Sequence, residues 1–443
     1  MRATKATVIR IGGWCLAGMI AVGLEAAAAV NAAPFALEIL WSTPISGAPQ
    51  PSPGTSGLEQ GSGLVLVAGA QLPDGGVLFL GNRLTPKTMS QVLLMDAGHR
   101  SPNSAAVLRL AGVPSVRPKG WLDRALGANK PRRQPVVSSV AAGSNGEIWV
   151  GGSSNDYMDI ASAPHADAYL ARIDDIGSPI WEKVYGNGAR GIRSLAAAPS
   201  GDLAVFGRDG WDGWLAMIAP DGDLVWERHV GSDLGGAVAW APGDRLVVAG
   251  FESSGSGSSN DYQDHVAIWI VDRSGNVLTR TRIRDAINKT PHSYSGEIGM
   301  VVAEDAVYVV SNWAGLFDAQ PAVISKVSLD GELLWSRALP ETIITVKGNV
   351  ETWRSCSPSL AVGPDGDPMV GCAMDGQIQL YQLDRSSGRY RQSVVPAPAC
   401  QAAHPAKLFF TVRDNATTLL SGTRPDSNVA ANCTWLGRLI AHH

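Results

Sequence analysis

The sequence predicts an all-β fold: a seven-bladed β-propeller of four-stranded antiparallel blades, closed by an N-terminal strand that completes the last blade. Three observations carry that reading. An apolar run, a tight polar turn and a second apolar run ending in a small residue recur at seven places along the 443 residues. Six of these hairpins are followed by a second hairpin, in which Trp181, Trp226 and Trp335 each fall four residues past the turn glycine. The seventh unit stops after three strands, while a strand of the missing type, Leu37 to Ser42, stands alone near the N-terminus. Repetition of four strands per unit is the mark of propeller blades rather than of a sandwich.

The composition fits a repeat array. Gly (50) and Pro (27) are abundant, charged residues make up only 17%, and 45% of residues are hydrophobic. That mixture excludes wholesale disorder, a coiled coil and a mainly helical bundle. A formal charge of −4 gives no footprint for coating nucleic acid.

Residues 1–32 read as a signal peptide. Arg2, Lys5 and Arg10 precede an apolar run from Ile11 to Leu24, and small side chains near Ala32 suit cleavage. The run is too short for a comfortable membrane span, and no later window is long enough. The expected destination is periplasmic or extracellular, with no membrane span after processing and a monomeric mature chain. Residues 33–61 hold the closing strand and a Gly/Ser/Pro linker, and residues 62–443 hold the blades.

The first-hairpin turns centre on Asp74-Gly75, Asn145-Gly146, Ser200-Gly201, Gly243-Asp244, Glu304-Asp305, Asp365-Gly366 and Asp414-Asn415. The second-hairpin turns fall near Gly98-His99, Ile176-Gly177, Asp221-Gly222, Ser274-Gly275, Asp330-Gly331 and Ser387-Gly388. Such dipeptides between β-rich runs read as antiparallel hairpins. Turn a–b and turn c–d then share one end of every blade. The longer segments, b–c loops or d–a linkers, are expected at the other end: Gly112 to Pro135, Ser153 to Asp167, Glu252 to Asp264, Arg284 to Gly296, Pro340 to Ser357 and Thr423 to Cys433.

The local text D-x-x-G-x-Φ-x-W over Ile173 to Trp181, Ile218 to Trp226 and Val327 to Trp335 resembles the repeats of secreted bacterial propellers of the quinoprotein-like (PQQ-like) class. The match is weaker at Val271 to Thr279 and Leu383 to Gln392. Quinoprotein dehydrogenases typically have eight blades and a vicinal cysteine pair over the cofactor. This sequence offers seven blades and no Cys-Cys, so PQQ is not expected, and the absence of C-x-x-C-H argues against haem.

The loop-rich end collects the residues with chemistry. His165, His229, His265, His292 and His404 fall in or beside its segments. His165, His265 and His292 are candidate bases or metal ligands, with Tyr157, Tyr262 and Tyr294 as candidate acids. Two loops repeat each other, Ser153 to Asp159 and Ser258 to Asp264. Their oxygens on Asp156, Asp159, Asp261 and Asp264 suit calcium, although a shared turn stabilised by Asx side chains explains the match equally well. Trp211 is a candidate stacking platform, and Trp214 is expected in strand and core. The linker from Gly112 to Pro135 sets six cations, Arg132 and Arg133 among them, against Asp123, forming a cationic lip for an anionic ligand.

Outside the signal, Cys356, Cys372, Cys400 and Cys433 are even in number and lack zinc spacing. Two disulfides are expected, Cys356–Cys372 and Cys400–Cys433 among three pairings. Two functions stay open on the sequence. One is an exported module that binds an envelope protein or glycan through the loop-rich end. The other is a lyase or hydrolase acting there on an anionic polymer, lactone or ester. No G-x-S-x-G elbow or H-E-x-x-H helix is present.

Overall fold

Strands whose residues are apolar on both faces must be covered on both faces. Leu203-Ala204-Val205-Phe206 is such a run, with every side chain 1% exposed or less. In the computed structural model the chain meets this demand by stacking sheets. Residues 35–42, 63–72, 77–84, 89–96, 104–108, 110, 135–154, 167–186, 190–210, 212–232, 235–254, 263–288, 296–314, 319–340, 343–345, 351–353, 358–363, 365–374, 377–396, 406–413, 416–423 and 434–441 are described.

They form four-stranded antiparallel sheets, the first six with their strands a to d in chain order. The first holds Gly63–Gln71, Val77–Leu84, Met89–Asp96 and Ser104–Val107. The second holds Val136–Ala142, Ile148–Ser153, Ala168–Ile173 and Pro179–Tyr185. The third holds Arg190–Ala197, Leu203–Asp209, Asp212–Ile218 and Leu224–Ser232. The fourth holds Gly236–Ala241, Arg245–Ser254, Gln263–Asp272 and Val277–Asn288. The fifth holds Gly296–Val302, Ala306–Ala314, Ala319–Ser328 and Leu333–Ala338. The sixth holds Ser359–Val362, Pro368–Met374, Gln377–Leu383 and Tyr390–Pro396. The last combines Ala406–Arg413, Ala416–Thr423 and Thr434–Ala441 with Phe35–Ser42, which pairs antiparallel to Thr434–Ala441.

Each strand a lies against strand a of the next sheet, from Gly63–Gln71 onward, and Ala406–Arg413 lies in turn against Gly63–Gln71. This all-β arrangement is consistent with a propeller. The cores sit between successive sheets. Trp149 and Leu170 of the second pack with Val205 and Trp214 of the third, and Phe206 and Leu215 of the third pack with Val248 and Trp269 of the fourth.

The outer strands are fastened by one recurring contact. Trp181 Nε1 donates to Pro220 O at 3.2 Å, Trp226 Nε1 to Arg273 O at 2.8 Å and Trp335 Nε1 to Arg385 O at 3.2 Å. In each case strand d of one sheet grips the c–d turn of the next. The fourth sheet has Thr279 in place of the tryptophan, and Thr281 Oγ1 donates instead to Gly331 O. The turns presented to these side chains are preset locally. Asp272 Oδ1 accepts from the backbone N–H of Ser274 and Asn276, and Asp384 Oδ1 from Ser386 and Ser387. Lys326, 7% exposed at the side chain, adds a bridge from the fifth sheet, with Nζ 3.0 Å from Asp305 Oδ2 and 3.2 Å from Arg385 O.

Three expectations about loops are corrected. Strand d of the fourth sheet runs to Asn288, so Arg284 to Asn288 is strand. Glu252 to Ser254 and Gln263 to Asp264 are likewise paired strand. Between Pro340 and Ser357, Ile343–Thr345 pairs with Glu351–Trp353 as a two-stranded ribbon. Backbone pairing carried these segments past the point where their polar composition suggests a loop. Among the described residues no helix is long and apolar enough to cross a membrane.

Two glycines separate the contact between sheets from backbone strain. Gly222 and Gly146 have φ of 86° and 82°. A Cβ on Gly222 would lie 2.8 Å from Trp181 and Lys183, whereas one on Gly146 meets nothing within 4 Å. Gly146→Ala is therefore expected to cost about 1 kcal/mol, and Gly222→Ala about 2–3 kcal/mol. Urea midpoints of the two variants measure this, and equal midpoints would deny that the turn is held by its neighbour.

Candidate functional site

Strands b and c leave and re-enter each sheet at the end opposite the tight turns. At that end of the third sheet a set of charged side chains meets on one face. Arg190 opens strand a, Asp209 closes strand b, and the two are ladder partners. Trp214 on strand c is opposite His229 on strand d, and Ala216 is opposite Glu227. The alternation of strand side chains therefore aims all five toward the second sheet.

Arg190 holds the set together. Its Nε is 2.9 Å from Asp209 Oδ2, and one terminal nitrogen is 2.7 Å from Glu227 Oε2. The guanidinium lies 5.0 Å over the Trp214 ring, and Trp214 Nε1 donates to the same Glu227 oxygen at 2.9 Å. Trp214 is fully buried, so its N–H requires this acceptor. His229 Nε2 is 3.2 Å from Asp209 Oδ2, with the imidazole 56% exposed.

Burial works against the charge on Asp209, but the hydrogen bond from Arg190, its charge and then His229 hold the carboxyl below the usual range. Glu227 is also lowered: burial opposes it, and the bonds from Trp214 and Arg190 outweigh burial. Arg190 is raised, its two carboxylate partners overcoming desolvation. With Asp209 ionised, the imidazole fits the pair as the Nε2–H tautomer. In that tautomer Nδ1 is the acceptor nitrogen of a half-exposed ring.

Most of the site residues expected from sequence are not among those described. His165, His292, Tyr157, Tyr262, Tyr294, Asp156, Asp159, Asp261, Trp211, Arg132 and Arg133 lie outside the described residues, as do Cys356, Cys400 and Cys433. His265 is on strand c of the fourth sheet, opposite Glu252 and half-buried. Asp264 belongs to that strand, between Ser253 and Asn288 in the ladder, and so is not in the loop to which the repeat assigned it. Cys372 is 3% exposed on Pro368–Met374 and disulfide-bonded. Among the described residues no three His, Cys, Asp or Glu side chains gather as metal ligands.

Arg190, Asp209 and Glu227 were not singled out from the sequence. Their one signal is position, since Arg208-Asp209 ends the apolar run of strand b and Glu227-Arg228-His229 directly follows Trp226.

No family model and no curated protein matches this sequence. Solved structures with a similar arrangement include a protein from Lactobacillus plantarum, at 14% identity over 75% of this chain and 85% of that one, with a TM-score of 0.41. A polysaccharide lyase is 9% identical over 83% and 88%, with a TM-score of 0.46. An alpha-l-arabinofuranosidase from Fusarium graminearum, solved with an iminosugar inhibitor, is 10% identical over 85% and 92%, with a TM-score of 0.42. At these scores none of the three bears on what this chain does.

The network predicts a pH dependence. A carboxyl lowered by folding stabilises above its unfolded pKa, about 3.9 for Asp and 4.3 for Glu, and that stability is lost as pH falls toward the folded value. Urea midpoints of the wild type are expected to fall more steeply below about pH 4 than those of Glu227→Gln. Parallel curves would remove Glu227 from the network.

Proposed function

We propose that the chain is an exported seven-bladed β-propeller, closed by Phe35–Ser42, that binds a partner protein or a glycan through its loop-rich end. The observation that carries this reading is the inequality of the two ends. At one end the c–d turns are fixed by their own Asp or Ser side chains and clamped by the preceding sheet. At the other, residues 111–134, 155–166, 255–262 and 424–433 link successive strands in the chain, and such connections are where a rigid scaffold carries binding sites. The succession of strand a contacts, returning from Ala406–Arg413 to Gly63–Gln71, supports ring closure. The cationic Arg2 to Arg10 start and the apolar run behind it support export. Disulfides Cys356–Cys372 and Cys400–Cys433 and quinoprotein-like repeats belong to the same reading.

A second reading, elimination or hydrolysis on an anionic polymer, rests on the His229–Asp209 pair, whose solvent-facing imidazole is arranged as a general base.

The test is a glycan array and an envelope-extract pull-down with the mature protein. Binding is expected to fall at least about tenfold in Arg132→Glu/Arg133→Glu and to be unchanged in Asp365→Asn at the opposite end. No capture by either method, or equal loss in both variants, would reject the binding reading. Turnover of a polyuronate that is lost in His229→Ala would favour the second.

A further inference from the structure

A second charged region lies in the gap between the third and fourth sheets, on surfaces that face each other. Arg228 is opposite Leu215, whose side chain packs into the core shared with the fourth sheet. Arg280 is opposite Trp269 and Arg282 opposite Ala267, and both partners belong to that same core. Strand parity places Arg208 on this face too, two residues beyond Phe206. Strand d of the third sheet lies against strand b of the fourth. The approach is close enough that a Cβ on Gly231 would come within 2.6 Å of Phe251 O.

Glu252 answers two of these arginines, Arg280 and Arg282. Glu252, 17% exposed, accepts from Arg282 Nε at 2.8 Å and from Arg280 Nε at 3.2 Å, and pairs also with a terminal nitrogen of Arg280. Arg280 and Arg282 remain 44% and 48% exposed at the side chain. Arg228 is exposed and donates to Glu227 O, and among the described residues no carboxylate forms an ion pair with it. Among the described residues three arginines, Arg228, Arg280 and Arg282, therefore stand with one carboxylate, Glu252, on this face of a chain whose formal charge is −4. A mostly buried carboxylate that grips two guanidinium groups fixes their planes while their outer N–H groups face solvent. That is the preorganised donor set that carboxylate, sulfate and phosphate groups recognise.

We propose that this cleft, formed by Arg228 together with Arg280 and Arg282 held on Glu252, binds an oxyanion, either as the acidic group of a polymer or as a free ion. The site is separate from the Arg190 network, which faces the second sheet, and it requires neither reading of the loop-rich end.

The test uses the full mature chain with two probes, inorganic sulfate by calorimetry and polygalacturonate by affinity electrophoresis, with dextran as the neutral control. Affinity for polygalacturonate is expected to drop about tenfold in Arg228→Gln and in Arg282→Gln, and to weaken as salt rises. If Arg282→Gln fails to fold because Glu252 loses its partner, Arg228→Gln decides, since it gives up one bond to a backbone oxygen. Sulfate binding without polymer binding keeps the site and identifies a free ion as its ligand. Failure of both probes, equal retention on dextran, or wild-type affinity for both probes in Arg228→Gln would overturn the proposal.

Discussion

A sheet with two apolar faces is stable only between neighbours, and in three of the described sheets the contact that fixes the neighbour is an indole N–H meeting a turn carbonyl. Trp181, Trp226 and Trp335 perform the same act in three sheets. The ring covers apolar area while the N–H specifies where the next turn must lie, which dispersion alone would not do. The turn can accept the indole because a glycine stands there: a Cβ on Gly275 or Gly388 would lie 3.0 or 2.8 Å from the tryptophan ring. The fourth sheet shows that the position matters more than the residue, since Thr281 reaches the turn at Gly331 with a hydroxyl.

These contacts are concentrated at one end, and so are most of the ion pairs between sheets. Lys183 bridges to Asp223, Arg273 to Asp202, and Arg245 to Asp330. Charged groups there are largely answered by turns and neighbouring sheets. The charge that is left for chemistry lies further along the strands. It takes two forms: the Arg190 network, which is internally matched and leaves one imidazole open, and the Glu252 cleft, where among the described residues three arginines stand with one carboxylate. A single scaffold rule, clamping at one end and connection at the other, separates the rigid from the reactive parts of the molecule.

The scaffold was legible because it repeats. Turn dipeptides and the tryptophan offset recur at fixed spacing, so one correct turn predicts the next, and Trp214 could be placed in strand and core. The N-terminal strand was legible as a fragment without a unit, and its pairing with Thr434–Ala441 is observed. The charged sites were not legible. Arg190 and Glu227 are 37 residues apart and meet only through the register of four strands, which no local pattern encodes. Asp264 looked like a loop ligand because its neighbours are Ser, Asn and Asp, yet backbone pairing with Ser253 and Asn288 takes it into the ladder. Polar composition marks a loop only where no partner strand continues alongside it.

The closed ring is the claim on which the separation of the two ends rests, and hydrogen exchange of the closing strand tests it most directly. Amides of Phe35–Ser42 that pair with Thr434–Ala441 should be protected to the same degree as those of the strands inside the other sheets. They should also lose protection together with Thr434–Ala441 as denaturant is raised. Exchange of Phe35–Ser42 at the rate of an unstructured peptide, with the remaining sheets still protected, would contradict the account.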